Sequence, residues 1–298
     1  MIRLGTFNTL TILRRTDPGI YLEGDEKTGD ILLPQRFVTP QMHVGDQLEV
    51  FIYLDQEERI IATTETPLAK VGEFAFLQVA WINQYGAFLH WGLMKDLFCP
   101  FREQKQRMQR GKGYIVYIKE DEVTHRLMAT AKVEKYLSVP YTETSPPPSQ
   151  QPTDHPTREG QMPLVKHGQA CDCLVWQKTD LGFKVIVDNC YQGQLYDNQI
   201  FQPLHTGDRL IAYIDHVRQD GKIDITVQPT GRKQTLDFAE VLLRYLHENN
   251  GHCNLGDNSP AELISDRFQV SKKVFKRAVG DLYRRRLIII DDNGIRLV

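Results

Sequence analysis

The side chains best suited to chemistry fall in four places. Between residues 102 and 112 the sequence gathers Arg102, Lys105, Arg107, Arg110 and Lys112 into one connecting segment. Such a run either raises the local positive potential enough to attract phosphate or is a solvated, charged loop. Just upstream, a Tyr-Gly-Ala-Phe turn sets two rings, Tyr85 and Phe88, around two small residues. Cys171 and Cys173, with Cys190 and His167, offer metal-binding atoms but not metal-binding spacing. Zinc sites pair Cys or His two to four residues apart, whereas Cys-x-Cys on a strand turns both thiols to one face, so packing is expected. Lys273, Lys276 and Arg277 belong to a basic stretch near the C-terminus. No GxxxxGK(S/T) loop, HExxH or GxSxG occurs, and the acidic residues scatter over turns rather than clustering as a two-metal nuclease requires. A non-enzymatic chain without cofactor or metal is expected.

These residues sit on a unit written three times. Gly72, Gly86 and Gly111 recur as Gly5, Gly19 and Gly45 and as Gly168, Gly182 and Gly207. A basic residue stands 54 positions after each opening Gly: Arg59, Arg126 and Lys222. Within a copy, apolar and polar residues alternate, as in LEVFIYL, YIVYI and LIAYI, which is the period of strands. Asp220-Gly221 suits a tight hairpin. Each copy thus holds about five strands in roughly 65 residues, and a sheet that small buries enough surface only by closing on itself. A five-stranded OB barrel meets that requirement. A period above 50 residues exceeds a solenoid repeat, so three separate barrels are expected.

Length agrees, since 298 residues are too many for one ordinary core. No stretch is long and apolar enough to span a membrane, the N-terminus lacks a signal pattern, and five unpatterned Cys suit a reducing interior. A cytoplasmic protein is expected. The near-zero net charge hides an uneven distribution. Residues 1–70 carry 11 acidic against 7 basic residues, and residues 168–231 carry 8 against 5. Residues 71–139, by contrast, hold 10 basic against 7 acidic, and residues 232–298 hold 12 against 9. Phosphate binding depends on local Lys and Arg, which favours the middle copy and the C-terminal segment.

The expected domains are a first barrel over 1–67, a second over 68–137, a Pro-rich linker over 138–162, a third barrel over 163–230 and a helical domain over 231–298. Residues 132–137 suggest a short helical exit from the second barrel. The linker's six Pro remove amide donors and favour extended backbone; the alternative is a loop docked on a neighbour. Beyond Gln228 the period changes to that of helices, with Phe238, Leu242, Tyr245 and Leu246 on one face. Ser259-Pro260 and Ser271 are helix starts, and Asn293-Gly294 is a hairpin turn. Three helices and a hairpin make a winged helix-turn-helix. The basic residues of its last helix are either a groove-contacting surface or a solvated face, and Arg284 to Arg286 suit a helix C-terminus.

The Tyr-Gly-Ala-Phe turn, the Gly-Asp-x-Leu strand and the basic closing strand resemble the S1 type of RNA-binding OB domain. Three such domains followed by a winged helix resemble the conserved virulence factor B family of bacterial RNA-binding proteins. The resemblance implies that two aromatics flanking the second-strand Gly-Ala stack bases, each worth about 1–3 kcal/mol. The second copy has Tyr85 and Phe88 there; the first has Pro18 and Tyr21, and the third Leu181 and Lys184. A His of the family pattern is replaced in every copy, by Leu33, Pro100 and Tyr196, while the closing-strand cation stands as Arg59, Arg126 and Lys222. It further implies single-stranded RNA as partner, a regulatory, post-transcriptional or translation-linked role, and contact with the ribosome or RNA-processing machinery. Two other functions fit the same residues: a protein-interaction scaffold using the acidic barrels, and a regulator binding duplex DNA through Lys273 and Arg277.

Overall fold

A computed structural model describes residues 1–140, 165–200, 203–227, 232–249, 251–256, 258–268, 270–291 and 294–298. Most of the Pro-rich segment, from 141 to 162, and Asn293 of the expected turn lie outside the described residues. The chain is mainly β: three closed five-stranded barrels precede a winged helix domain.

The first barrel comprises β1 (Phe7–Thr16), β2 (Gly19–Leu22), β3 (Ile31–Pro34), β4 (Gln47–Leu54) and β5 (Ile60–Thr63). The second comprises β6 (Phe74–Ile82), β7 (Gly86–His90), β8 (Leu97–Pro100), β9 (Gly113–Glu120) and β10 (Leu127–Thr130). The third comprises β11 (Ala170–Thr179), β12 (Gly182–Val187), β13 (Tyr191–Tyr196), β14 (Arg209–Val217) and β15 (Ile223–Thr226). Strand neighbours follow one ring in all three, with the third and fifth strands paired in parallel and the others antiparallel. The alternating side chains fill each interior: Leu10, Ile12 and Leu33 in the first, Leu77, Leu89 and Val116 in the second, Cys173, Val185 and Ile225 in the third.

The second glycine of each repeat has a steric cause. A Cβ at Gly19, Gly86 or Gly182 would stand 2.0, 2.4 or 2.1 Å from the carbonyl oxygen of Leu33, Cys99 or Leu195 on the neighbouring strand. Only Gly lets the two backbones approach so closely. A second shared device is a β-bulge in the first strand, where pairing with the second strand skips Leu13, Ala80 or Trp176. A bulge adds one unpaired residue and re-aims the side chains beyond it. It determines which of them reach the outer face.

The barrels pack directly on one another. Phe51 and Tyr53 of β4 share a core with Trp91 and Leu93 of the second barrel, and the Phe51 and Trp91 rings meet edge-on at 5.8 Å. The second and third barrels meet through Phe74, Tyr117 and Val133 against Leu174, Trp176 and Ile186. The side chain of Asn189 fastens this joint, accepting from the Phe74 amide at 2.7 Å and donating to the Gly72 carbonyl at 3.1 Å. The expected helical exit is a 3-10 turn over Val133–Tyr136, and Ser138 donates its amide to the Cys190 carbonyl at 2.8 Å.

The winged helix domain holds α1 (Arg232–Glu248), α2 (Ala261–Phe268) and α3 (Lys272–Arg284), with a sheet ordered β16 (His252–Cys253), β18 (Gly294–Leu297), β17 (Ile288–Asp291). Phe238, Leu242 and Leu246 of α1 pack on Phe275, Ala278 and Leu282 of α3, with Tyr245 at the edge. The Ser271 hydroxyl caps α3 by accepting from the Val274 amide at 3.4 Å.

Candidate nucleic-acid interface

The outer face of the second barrel carries an aromatic ladder. Across β6, β7 and β8 the register sets Trp81 beside Phe88 and Phe88 beside Phe98. The Trp81 and Phe88 rings stack in parallel, 3.7 Å apart at 5°, and Phe98 tilts against Phe88 at 4.9 Å. Neighbouring rings of this kind hold one another for about 0.5–1.5 kcal/mol beyond their burial. Trp81 is pinned further, its indole N–H donating to Asp96 Oδ2 at 3.0 Å. Tyr85 stands at the mouth of the β6–β7 turn and is 65% exposed. Its amide and that of Gly86 donate to Asn83 Oδ1 at 2.8 and 3.1 Å, which fixes the turn.

Tyr85, Phe88 and Phe98 open onto a cavity of about 600 Å³ between the barrels. The second barrel contributes Lys95, Arg102, Asp121 and Arg126 to its wall; the first contributes Tyr53, Leu54 and Glu58. The cations are already engaged. Arg102 lies 3.1 Å from Asp121, Arg126 pairs across the joint with Glu58, and Lys95 donates to the Asp55 carbonyl at 2.6 Å. The Thr124 backbone amide donates to Asp121 and holds its carboxyl below the usual range, with the nearby Arg102 charge adding to the effect. Burial pushes the Lys95 ammonium down, opposed by Glu58 and Asp55. The arrangement can stack a flat ring and offer two guanidinium groups to an anion.

The basic segment from 102 to 112 does not act as one rim. Gln104 and Met108 are buried and anchor it, so its side chains leave on different sides. Arg102 lines the aromatic cavity, whereas Lys105, Arg107 and Lys112 line a separate cleft toward the third barrel. Arg110 donates to the Ala80 carbonyl at 3.1 Å, beside the ladder. The run as a whole therefore does not border Tyr85 and Phe88.

The other candidate residues are dispersed. In the first barrel the Arg14 guanidinium covers the Tyr21 ring at 4.3 Å, and Arg59 pairs within its own hairpin with Asp55 at 2.7 Å and Glu57 at 3.0 Å. In the third, Lys184 lies over the Trp176 ring at 5.4 Å and Lys222 pairs with Asp220 at 2.9 Å. The Tyr196 hydroxyl takes a hydrogen bond from Arg218 and donates to Asp224 at 3.3 Å. Lys273, Lys276 and Arg277 are exposed on α3. Both Cys171 and Cys173 are buried in the third barrel, their sulfurs 3.8 Å apart, and the hydrogen bond to Cys171 raises the Cys173 thiol along with its burial. Among the described residues no group of three or more His, Cys, Asp or Glu could hold a metal ion, and no helix is long and apolar enough to cross a membrane.

Trp81, Phe98, Lys95 and Glu58 escaped the sequence reading. Trp81 had a signal, since it lies seven residues before Phe88 across a tight turn and pairs with it directly. Glu58 and Lys95 had none, because the packing of one barrel on another brings them to the cavity.

Two stretches of the chain match known families. Residues 240–297 match the CvfB-like winged helix domain, and residues 4–65 match the S1 domain. The Bacillus subtilis protein YitL is 28% identical over 98% of this chain and 93% of its own length. Conserved virulence factor B of Staphylococcus haemolyticus is 22% identical, and that of Staphylococcus aureus 20%, each over 86% of this chain and 81% of its own length. A crystal structure of a multidomain protein with nucleic acid binding domains, from Streptococcus pneumoniae, is 20% identical and covers 99% of this chain and 98% of that one, at a TM-score of 0.41.

Proposed function

Because the chain belongs to the conserved virulence factor B family of S1 and winged helix proteins, we propose that it is a non-enzymatic protein that binds single-stranded RNA on its second barrel, in a post-transcriptional or translation-linked regulatory role. The S1 and winged helix domains make nucleic-acid binding the coarse expectation. The ladder of Trp81, Phe88 and Phe98 beside a cavity with Arg102 and Arg126 carries the finer one. Bases have π-faces whatever their sequence, so a stack of rings with cations at its edge accepts a single strand without reading it. A duplex, whose bases are already stacked inside, has nothing to offer that ladder.

The test is Phe88→Ala with a labelled oligouridylate in an anisotropy titration. Removing one stacking position is expected to weaken binding about tenfold, within the 1–3 kcal/mol such a contact supplies. Phe88 is partly exposed, so the fold should survive. Unchanged affinity removes stacking from the mechanism. The exposed cations of α3 support a second function, contact with duplex nucleic acid, because Val274, Phe275, Ala278 and Val279 turn inward and leave Lys273, Lys276 and Arg277 outside. Duplex DNA binding abolished by Lys273→Ala/Arg277→Ala would favour it.

A further inference from the structure

The cleft at the joint of the second and third barrels is chemically unlike the aromatic cavity. It measures about 660 Å³ and is walled by Lys105, Arg107 and Lys112, with Gln109 and Gln177 among its neutral polar residues. No carboxylate lines it among the described residues. Glu134, on the 3-10 turn leaving the second barrel, pairs with Lys105. A ring rather than an acid holds the Arg107 guanidinium, 3.6 Å from the Phe101 centroid, while Lys105 Nζ, besides pairing with Glu134, stands 5.2 Å from the Trp176 centroid. A ring face orients a cation without neutralising it. Lys112 is exposed at the edge of the same cleft.

The walls are firm. Phe76 of β6 lies against both Gly113 and Gly207, where an added Cβ would come within 2.1 and 2.5 Å of its ring. The two barrels therefore close on each other beside the cleft, and Gly207, at φ +100°, tolerates no ordinary side chain there. Three cations on a fixed frame, only Lys105 of them paired with an acid and all facing neutral amides, form a site for an anion with several oxygens.

We propose that this cleft is a second binding site, separate from the aromatic ladder, that takes phosphate groups. Phosphate reaches a protein of this kind either as the backbone of a bound RNA strand or as a free polyphosphate. The covalent layout favours the backbone. Arg102 faces the aromatic cavity and Lys105 faces the cleft, and three residues of chain separate their Cα atoms by at most about 11 Å. One strand whose bases stack on the ladder can then pass its phosphates over the intervening 3-10 turn of Phe101–Glu103. The cleft does not depend on the ladder, and its failure can be told from the ladder's.

The experiment uses the full chain and the double variant Arg107→Gln/Lys112→Gln, both positions being exposed. An oligouridylate of about 12 nucleotides, within the span that OB folds cover, is titrated at several salt concentrations, and inorganic tripolyphosphate is titrated separately by calorimetry. If the RNA backbone is the ligand, the variant loses about tenfold in RNA affinity and its salt slope falls by about 1.4, that is about 0.7 for each lost phosphate contact. If a free polyphosphate is the ligand, tripolyphosphate binds the parent and not the variant while RNA affinity stays the same. A folded variant that matches the parent in both titrations overturns the site. Loss on Arg107→Gln/Lys112→Gln with no loss on Phe88→Ala keeps the cleft and removes the ladder.

Discussion

The second and third barrels place a tryptophan one position apart and use it for opposite purposes. In both, the first strand bulges before it pairs with the second. In the second barrel the bulge residue is Ala80, and Trp81 just after it lies beside Phe88, 43% exposed. In the third the bulge residue is Trp176 itself; it turns into the joint between barrels and is only 7% exposed. Gln177 takes the place of Trp81, Lys184 that of Phe88, and Gln194 that of Phe98. The first barrel fills the same three places with Arg14, Tyr21 and Leu32. One backbone design thus presents a stacking surface, a polar surface, or a ring already capped by a guanidinium. The bulge stands at the same place in all three, so the residue types at it and just after it decide which.

The sharpest test of that contrast compares Trp176→Ala with Trp81→Ala. Removing the buried indole should cost about 3–5 kcal/mol, the range for large aromatic truncations in a core, and should lower the thermal midpoint. Removing the exposed one gives up its stack on Phe88, about 0.5–1.5 kcal/mol beyond its burial, and should lower RNA affinity instead. Thermal denaturation followed by circular dichroism, together with an RNA titration on both proteins, checks the crossover. Equal destabilisation by the two would erase the distinction.

Exchanging the fillings comes next. Trp81→Gln, Phe88→Lys and Phe98→Gln together write the third barrel's outer face onto the second. With three ring positions lost, RNA affinity should fall about 100-fold or more, near 3 kcal/mol at about 1 kcal/mol for each. The new Lys should also make the remaining binding more salt-dependent. Retained affinity with an unchanged salt slope would mean that RNA is held elsewhere.

The two levels of structure were unequally legible. Strand alternation and the glycine spacing were enough for three closed barrels, and the second glycine of each copy answers a local clash such as Gly86 against the Cys99 carbonyl. Helical period and the Ser271 cap likewise disclosed the winged helix. Tyr85 and Phe88 could be singled out because both flank the same short turn. Trp81 and Phe98 were not, since their approach to Phe88 depends on the register of three strands, which no local residue pattern marks. The joints were opaque for a different reason. Asn189 reaches Phe74 across 115 residues, and Glu58 reaches Arg126 across 68; nothing in a local pattern encodes either contact.

That last contact separates the closing-strand cations of the three barrels. Arg59 and Lys222 are neutralised by acids of their own hairpins. Arg126 is paired instead with an acid lent by the first barrel, at the wall of the aromatic cavity. Both partners are about half exposed, so the pair itself contributes little to stability, about 0.2–1 kcal/mol. Its consequence for binding is more specific: a phosphate arriving at Arg126 must displace Glu58 or share the guanidinium with a like charge. Glu58→Gln leaves the side chain's size and removes that competitor. RNA affinity should then rise about two- to threefold, commensurate with an exposed ion pair, and the salt slope should steepen by up to about 0.7 as one more phosphate is engaged. An affinity that falls instead would assign Glu58 to holding the two barrels in register around the cavity, and the first barrel would contribute to the site by position rather than by charge.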